Sequence, residues 1–214
     1  MFANKNAGVI VDKLIEAIQT HKDYLSEVDG KIGDGDHGVN MNKGFTLCQG
    51  ELTQKGNYSL SEALYTLSDC LMEGIGGSMG PLYGMFFAGM ADVADEHEEI
   101  DAETFGKMLG SALREVQEIG SAQRGDKTLL DTLIPAFEAY EAALGAGKDF
   151  SQCLAEMDAA AEKGWKSTED MIAKIGRASR LGERSRGVLD AGATSCYLLL
   201  HAMAETAQSL LQKE

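Results

Sequence analysis

The stretch Asn4-Lys5-Asn6-Ala7-Gly8-Val9-Ile10-Val11-Asp12-Lys13-Leu14-Ile15-Glu16-Ala17-Ile18-Gln19-Thr20-His21-Lys22 places Val11, Leu14, Ile15 and Ile18 at spacings of three and four. That spacing lines up one apolar face of an α-helix. The same recurrence runs through nearly the whole chain. No segment shows sustained period-two alternation and only two prolines occur, so the chain reads as all-α. With Gly clusters as stops and Ser, Thr or Asp as starts, helices are expected near 4–22, 37–54, 59–74, 79–96, 101–120, 128–145, 151–173 and 191–212. Ser59 with Glu62 and Thr128 with Asp131 have capping-box spacing, and Pro135 inside the sixth helix is expected to kink it or to sit in an adjusted early turn.

The 214 residues are read as one domain, 1–214, with 44% hydrophobic and 25% charged residues, ordinary for a globular protein. A net charge of −15 argues against nucleic acid and against an anionic membrane as partners, both of which are bound largely through Lys and Arg. An anion remains possible where a metal inverts the local sign. MFANKNAGVIVDKL lacks the basic region and apolar run of a secretion signal, and no apolar run approaches the ~20 residues that span a bilayer, so a cytoplasmic location is expected. Cys48, Cys70, Cys153 and Cys196 are far apart, without CxxC pairs, and read as small core residues.

Glycine, at 25 residues, exceeds the usual share, and the excess concentrates in four connections. These are DGKIGDGDHG between helices one and two, EGIGGSMGP between three and four, GSAQRGDKT between five and six, and IGRASRLGERSRGVLDAGATS between seven and eight. In an up-and-down antiparallel array, alternate connections share one end, so the four loops are expected to converge there with the starts of the even-numbered helices. Unpaired helix N–H groups and close-approaching Gly backbone suit a polyphosphate.

Asp29, Asp34 and Asp36 fall within eight residues of one expected loop. Like charges this close repel, and Mg²⁺ relieves the repulsion by taking carboxylates together with phosphate oxygens and waters. Taken alone, the Asp-Gly-Asp string reads more often as a solvated acidic turn or helix cap. An EF-hand fails, because counting from Asp34 puts Phe45 at the twelfth position where Glu is required. His37 suits a donor to phosphate or carboxylate, or a hydrogen-bonder at a helix start. Asn40, one turn on, suits the same site or a surface role.

No Walker A string and no protein-kinase signature occurs. Arg124-Gly125-Asp126-Lys127-Thr128 reads as a turn feeding a capped helix. Arg177, Arg180, Arg184 and Arg186 crowd ten positions before the last helix. They suit phosphate, adenine, a partner's carboxylates or internal ion pairs. Met79 and Trp165 read as core.

Together the strings IGDGDHGVNMNKGF, GGSMGPLYG, GDKTLLD and GRASRLGERSRGVLDAGATS resemble the L subunit of dihydroxyacetone kinases, over nearly the whole chain. The resemblance implies an eight-helix antiparallel up-and-down barrel with a nucleotide site at one end. It implies two Mg²⁺ ions on Asp29, Asp34 and Asp36, bridging to the phosphates of ADP or ATP. His37, Gly38, Val39, Asn40, Ser78, Met79, Gly120, Leu129, Arg177, Asp190, Ala191 and Gly192 would line the nucleotide. Met79 and Ala191 depart from the Ser and Pro the family tends to carry.

The family further implies half an enzyme, working with a K subunit that holds dihydroxyacetone as a hemiaminal. The phosphoryl donor is then either exchanging ATP or bound ADP rephosphorylated by a phosphohistidine protein of the phosphotransferase system, and a homodimer stays open. His37 stands where fatty-acid kinases of the same superfold carry Thr. A kinase for another short ketose and a non-catalytic nucleotide sensor docking a regulator remain as alternatives.

Overall fold

The computed structural model describes residues 1–212; the last two residues of the expected domain lie outside that range. Eight helices follow one another: α1 (Val9–Ile32), α2 (His37–Lys55), α3 (Leu60–Gly74), α4 (Met79–Asp95), α5 (Ala102–Ile119), α6 (Leu130–Gly145), α7 (Phe150–Ser167) and α8 (Ala191–Leu211). Each packs on its chain neighbours and α8 packs back on α1, which closes the ring into an up-and-down barrel. One contiguous core fills it, including Phe45, Phe87 and Phe105 and all four cysteines.

Two helices differ from their expected bounds. α1 starts later because Phe2–Ala3 pairs as a short strand, β1, with β2 (Glu99–Ile100), and residues 4–6 form a 3₁₀ turn. It ends a full ten residues later, since Leu25, Val28 and Ile32 prolong the buried stripe past Gly30. Asp29 therefore sits in the last turn of a helix and not in a loop. α7 stops at Ser167 because hydroxyls compete for its carbonyls. Ser167 Oγ donates to Gly164 O and Thr168 Oγ1 to Trp165 O, each at 2.7 Å.

The two ends of the barrel are built differently. At the far end, where α3, α5 and α7 start, Ser59, Asp101 and Asp149 accept from the N–H of Glu62, Thr104 and Gln152, completing side-chain caps. Buried Asn4 donates to Ala94 O (2.7 Å) and His97 O (3.0 Å) and accepts from Ser61 N, while Phe2 stacks on Phe150 at 5.8 Å. That end is sealed.

Pro135, in the second turn of α6, lacks the N–H that would bond Asp131 O. Gly164 of α7 lies against that carbonyl, and a Cβ there would run into Asp131 O and lie 3.2 Å from Thr132 Cα. Gly164→Ala is expected to cost about 1–3 kcal/mol through backbone overpacking. Urea denaturation measures it, and an unchanged midpoint would contradict this packing.

Candidate functional site

The opposite end carries a cavity of about 900 Å³ onto which all four Gly-rich connections converge. The residues immediately preceding the four even helices, Asp36, Ser78, Leu129 and Asp190, all line it. Among the described residues, the residues preceding α2, α4 and α6 make no side-chain cap bond, in contrast with those preceding α3, α5 and α7 at the far end. The positive dipole ends of these helices favour an anion, and first-turn N–H groups of α2 and α4 are left for it, whereas in α6 Leu130 N donates to Thr128 Oγ1 at 3.2 Å and Asp131 N to Thr128 O at 3.0 Å. Of the four, only α8 is capped by the residue preceding it, Asp190 Oδ2 accepting from Ala193 N at 2.7 Å.

Asp29, Asp34 and Asp36 each offer one carboxylate oxygen, and the three oxygens lie within 4.8 Å of one another. Gly33 makes the close turn possible, because a Cβ there would collide with the Asp29 carboxylate, and Gly35 takes φ +78°. Arg177 reaches across from the last connection to form an ion pair with Asp34. Three converging hard oxygens without a buried counter-charge of their own fit a divalent cation. Gly192 matters in the same way at the start of α8, where a Cβ would stand 3.1 Å from Asp190 Oδ2 and 3.5 Å from Leu129 N.

Behind the aspartates, His37 is 8% exposed and its Nε2 pairs with Ser195 Oγ at 2.9 Å. Tyr83 OH pairs with Ser195 Oγ at 2.7 Å and donates to Gly192 O at 3.1 Å. Burial pulls the imidazole down to about 4, against the opposing pull of Asp29, so the ring is neutral near pH 7. Burial pushes the Asp190 carboxyl up to about 6, against the Ala193 N–H and the Lys127 ammonium.

Of the residues expected at a nucleotide, Asp29, Asp34, Asp36, His37, Asn40, Ser78, Met79, Gly120, Leu129, Arg177, Asp190, Ala191 and Gly192 all line the cavity. Gly38 and Val39 do not. Val39 is 51% exposed, and Gly38 is packed against α1, where a Cβ would overlap Lys22 O and lie 2.7 Å from Ser26 Oγ.

A model of the DAK2 domain matches residues 31–205. The chain belongs to the DAK2 domain family. The match takes in all or most of each Gly-rich connection and leaves Asp29 two residues before its start. Among relatives, the chain is 38% identical over 191 residues to the ADP-binding subunit DhaL of PEP-dependent dihydroxyacetone kinase 1 of Listeria innocua, covering 89% of this chain and 90% of that one. It is 33% identical over 193 residues to the corresponding Escherichia coli subunit, covering 90% and 92%. The fold matches the dihydroxyacetone kinase of C. freundii, solved in complex with AMP-PNP and Mg²⁺, with a TM-score of 0.69 at 23% identity, over 95% of this chain and 34% of that one.

Within this DAK2 domain, sequence reasoning missed Tyr83, Ser195 and Lys127, all buried at the cavity end. Tyr83 stands four residues after Met79, and Ser195 four after Ala191, so one helical turn from each named lining residue was the available signal. Lys127 gave none, since its partners lie 44 to 61 residues away.

His37 and Asp190 act oppositely on stability between pH 4 and 6.5. Unfolded His37 takes up a proton near 6.5 and folded His37 only near 4, so the fold loses stability as pH falls through that window. Folded Asp190 holds its proton up to about 6 against 3.8 unfolded, so the fold gains stability as pH falls through about 6. Each full shift corresponds to about 3 kcal/mol. Asp190→Asn keeps a cap acceptor and removes only the gain. Magnesium-free urea denaturation should show it losing stability more steeply than the unsubstituted protein on acidification from pH 6.5 to 4; parallel profiles would contradict the assignment.

Proposed function

We propose that this chain is the nucleotide-carrying subunit of a dihydroxyacetone kinase, a phosphotransferase in which substrate is held by a separate K-type subunit. The observation that carries the reading is the aspartate trio, three carboxylate oxygens within 4.8 Å at the mouth of a cavity ringed by uncapped helix starts. Relatives named as ADP-binding subunits of PEP-dependent dihydroxyacetone kinases, at 33–38% identity over about nine-tenths of the chain, support the substrate class. The same names favour ADP that stays bound and is rephosphorylated in place by a phosphohistidine carrier over freely exchanging ATP.

Asp29, Asp34 and Asp36 would hold two Mg²⁺ ions. The ions would supply charge neutralisation at the phosphates. The rest falls to the chain's own groups. First-turn N–H groups of α2 and α4 orient an anion, and neutral His37, fixed through Nε2 by Ser195, presents Nδ1 without adding charge. Arg177 balances Asp34 until phosphate arrives. Met79, Leu82 and Leu129 give the cavity an apolar wall suited to a base. Positioning and charge neutralisation are what phosphoryl transfer chiefly requires.

Among the described residues no second constellation for a small ketose accompanies the site, because His21, His97 and His201 lie outside the cavity lining. A partner would dock over the Gly-rich, arginine-bearing end and exclude water there. Among the described residues no helix is long and apolar enough to cross a membrane.

The purified chain, checked by mass spectrometry for contaminating K subunit, should phosphorylate no free dihydroxyacetone, and a K-type partner with a phosphoryl donor should restore turnover. Asp36→Asn should lower that turnover on the order of 10²-fold or more with the helical circular dichroism intact. Robust turnover by the lone chain would overturn the half-enzyme reading, and loss of helicity would make Asp36 structural.

A further inference from the structure

Lys127 lies in the connection between α5 and α6, is 1% exposed, and adopts φ +63°, alone among the described non-glycine residues. The left-handed region costs a side-chain-bearing residue roughly 1–2 kcal/mol, so something must hold it there. Its Nζ donates to the carbonyls of Met171 (3.2 Å), Ser185 and Val188 (2.6 Å). An ammonium has three N–H donors, and three carbonyls account for all of them, leaving none for a phosphate. Lys127 reaches the cavity end without being a ligand there.

The three carbonyls come from both sides of the arginine-bearing connection, one before its 3₁₀ segment (Arg177–Ser185) and two at or after its end. Around the ammonium the limbs are tied further to each other and to the α5–α6 connection. Ala173 N donates to Ser185 Oγ (2.9 Å), Gly187 N to Glu169 O (2.7 Å) and Lys174 N to Asp126 O (3.1 Å). Beyond this neck the backbone turns at Gly176 (φ +72°) and Gly182 (φ +54°), which flank the tip that carries Arg177. Arg177 itself is 63% exposed in its pair with Asp34, and an exposed pair contributes only ~0–1 kcal/mol, too little to fix the loop. The neck therefore carries much of the tip's position, beside the packing of the 3₁₀ segment on α1.

We infer that Lys127 is a positioning residue that clamps the neck of the arginine loop and thereby sets Arg177 over the cavity; the inference rests on reading that cavity as a nucleotide site. Its effect on ligand binding is transmitted through Arg177 and needs no contact of its own with ligand.

The test is a double-substitution cycle on the full chain, read by calorimetry with Mg²⁺ and ADP. Arg177→Ala is expected to weaken binding ~10-fold or more, the loss of one charge-assisted contact. Lys127→Ala is expected to weaken it comparably, and the double variant to bind no more weakly than the worse single one. Propylammonium, the fragment missing beyond Cβ, should restore binding to Lys127→Ala and not to Arg177→Ala; 1-propanol should restore neither. Losses that multiply in the double variant, or failure of the ammonium to rescue, would overturn the proposal.

If Lys127→Ala does not fold, Lys127→Met restores the volume without the donors and is taken through the same cycle. Unfolding of both would overturn the positioning role. If the unsubstituted chain does not bind Mg²⁺ and ADP, the nucleotide reading fails by itself. Amide exchange then decides the clamp, expected to accelerate ~10-fold at Ala173 and Gly187 in Lys127→Ala with α1 and α8 unchanged; unchanged exchange at the neck overturns it.

Discussion

Three carboxylates brought to within 4.8 Å of one another, in a chain of net charge −15, set the condition that the rest of this molecule meets. Each like-charged pair at such a distance costs on the order of 1–4 kcal/mol between water and a protein surface. An array of that kind persists where something positive answers it. Arg177 answers Asp34 from across the cavity, and a divalent ion would answer all three. The local backbone is bent to this end. α1 runs to Ile32 so that Asp29 projects from its last turn, Gly33 turns where any Cβ would strike that carboxylate, and Gly35 takes a left-handed conformation.

The barrel divides labour between its ends. Side-chain caps on α3, α5 and α7, an antiparallel strand pair, buried Asn4 and stacked Phe2 and Phe150 close the far end. At the cavity end α2 and α4 keep first-turn donors free of any side-chain cap. Free N–H groups reduce stability locally and supply anion affinity in exchange, a division expected where one end must bind and the other must hold the fold. An acidic protein can thus take an anionic ligand without a basic surface, because dipoles, one arginine and a metal held by the aspartates would together supply the positive field at a single place.

Much of this was legible because it is local. Apolar spacing located the eight helices, and glycine clustering marked which connections would meet, since alternate loops of an up-and-down array must share an end. What the sequence hid was non-local or depended on competition between partners. The first helix was expected to end at Lys22, yet Leu25, Val28 and Ile32 had core to bury and carried α1 on to Ile32. Thr168 ended α7 early because its hydroxyl took the Trp165 carbonyl and also accepted from Asp190 N. His37 and Ser195 stand 158 residues apart in sequence, and no spacing rule joins them. Gly38, which the family resemblance placed at the nucleotide, lies so close to α1 that a Cβ would overlap Lys22 O.

The central claim is that metal and nucleotide share the aspartate trio, and their thermodynamic linkage tests it most directly. If they share the site, Mg²⁺ raises ADP affinity by the same factor by which ADP raises Mg²⁺ affinity. Calorimetric titration of the full chain with ADP, in magnesium and in chelator, and with magnesium in the presence and absence of ADP, should return one matching factor of ~10 or more from both legs, abolished by Asp34→Asn. Equal ADP affinity in magnesium and in chelator would contradict the account.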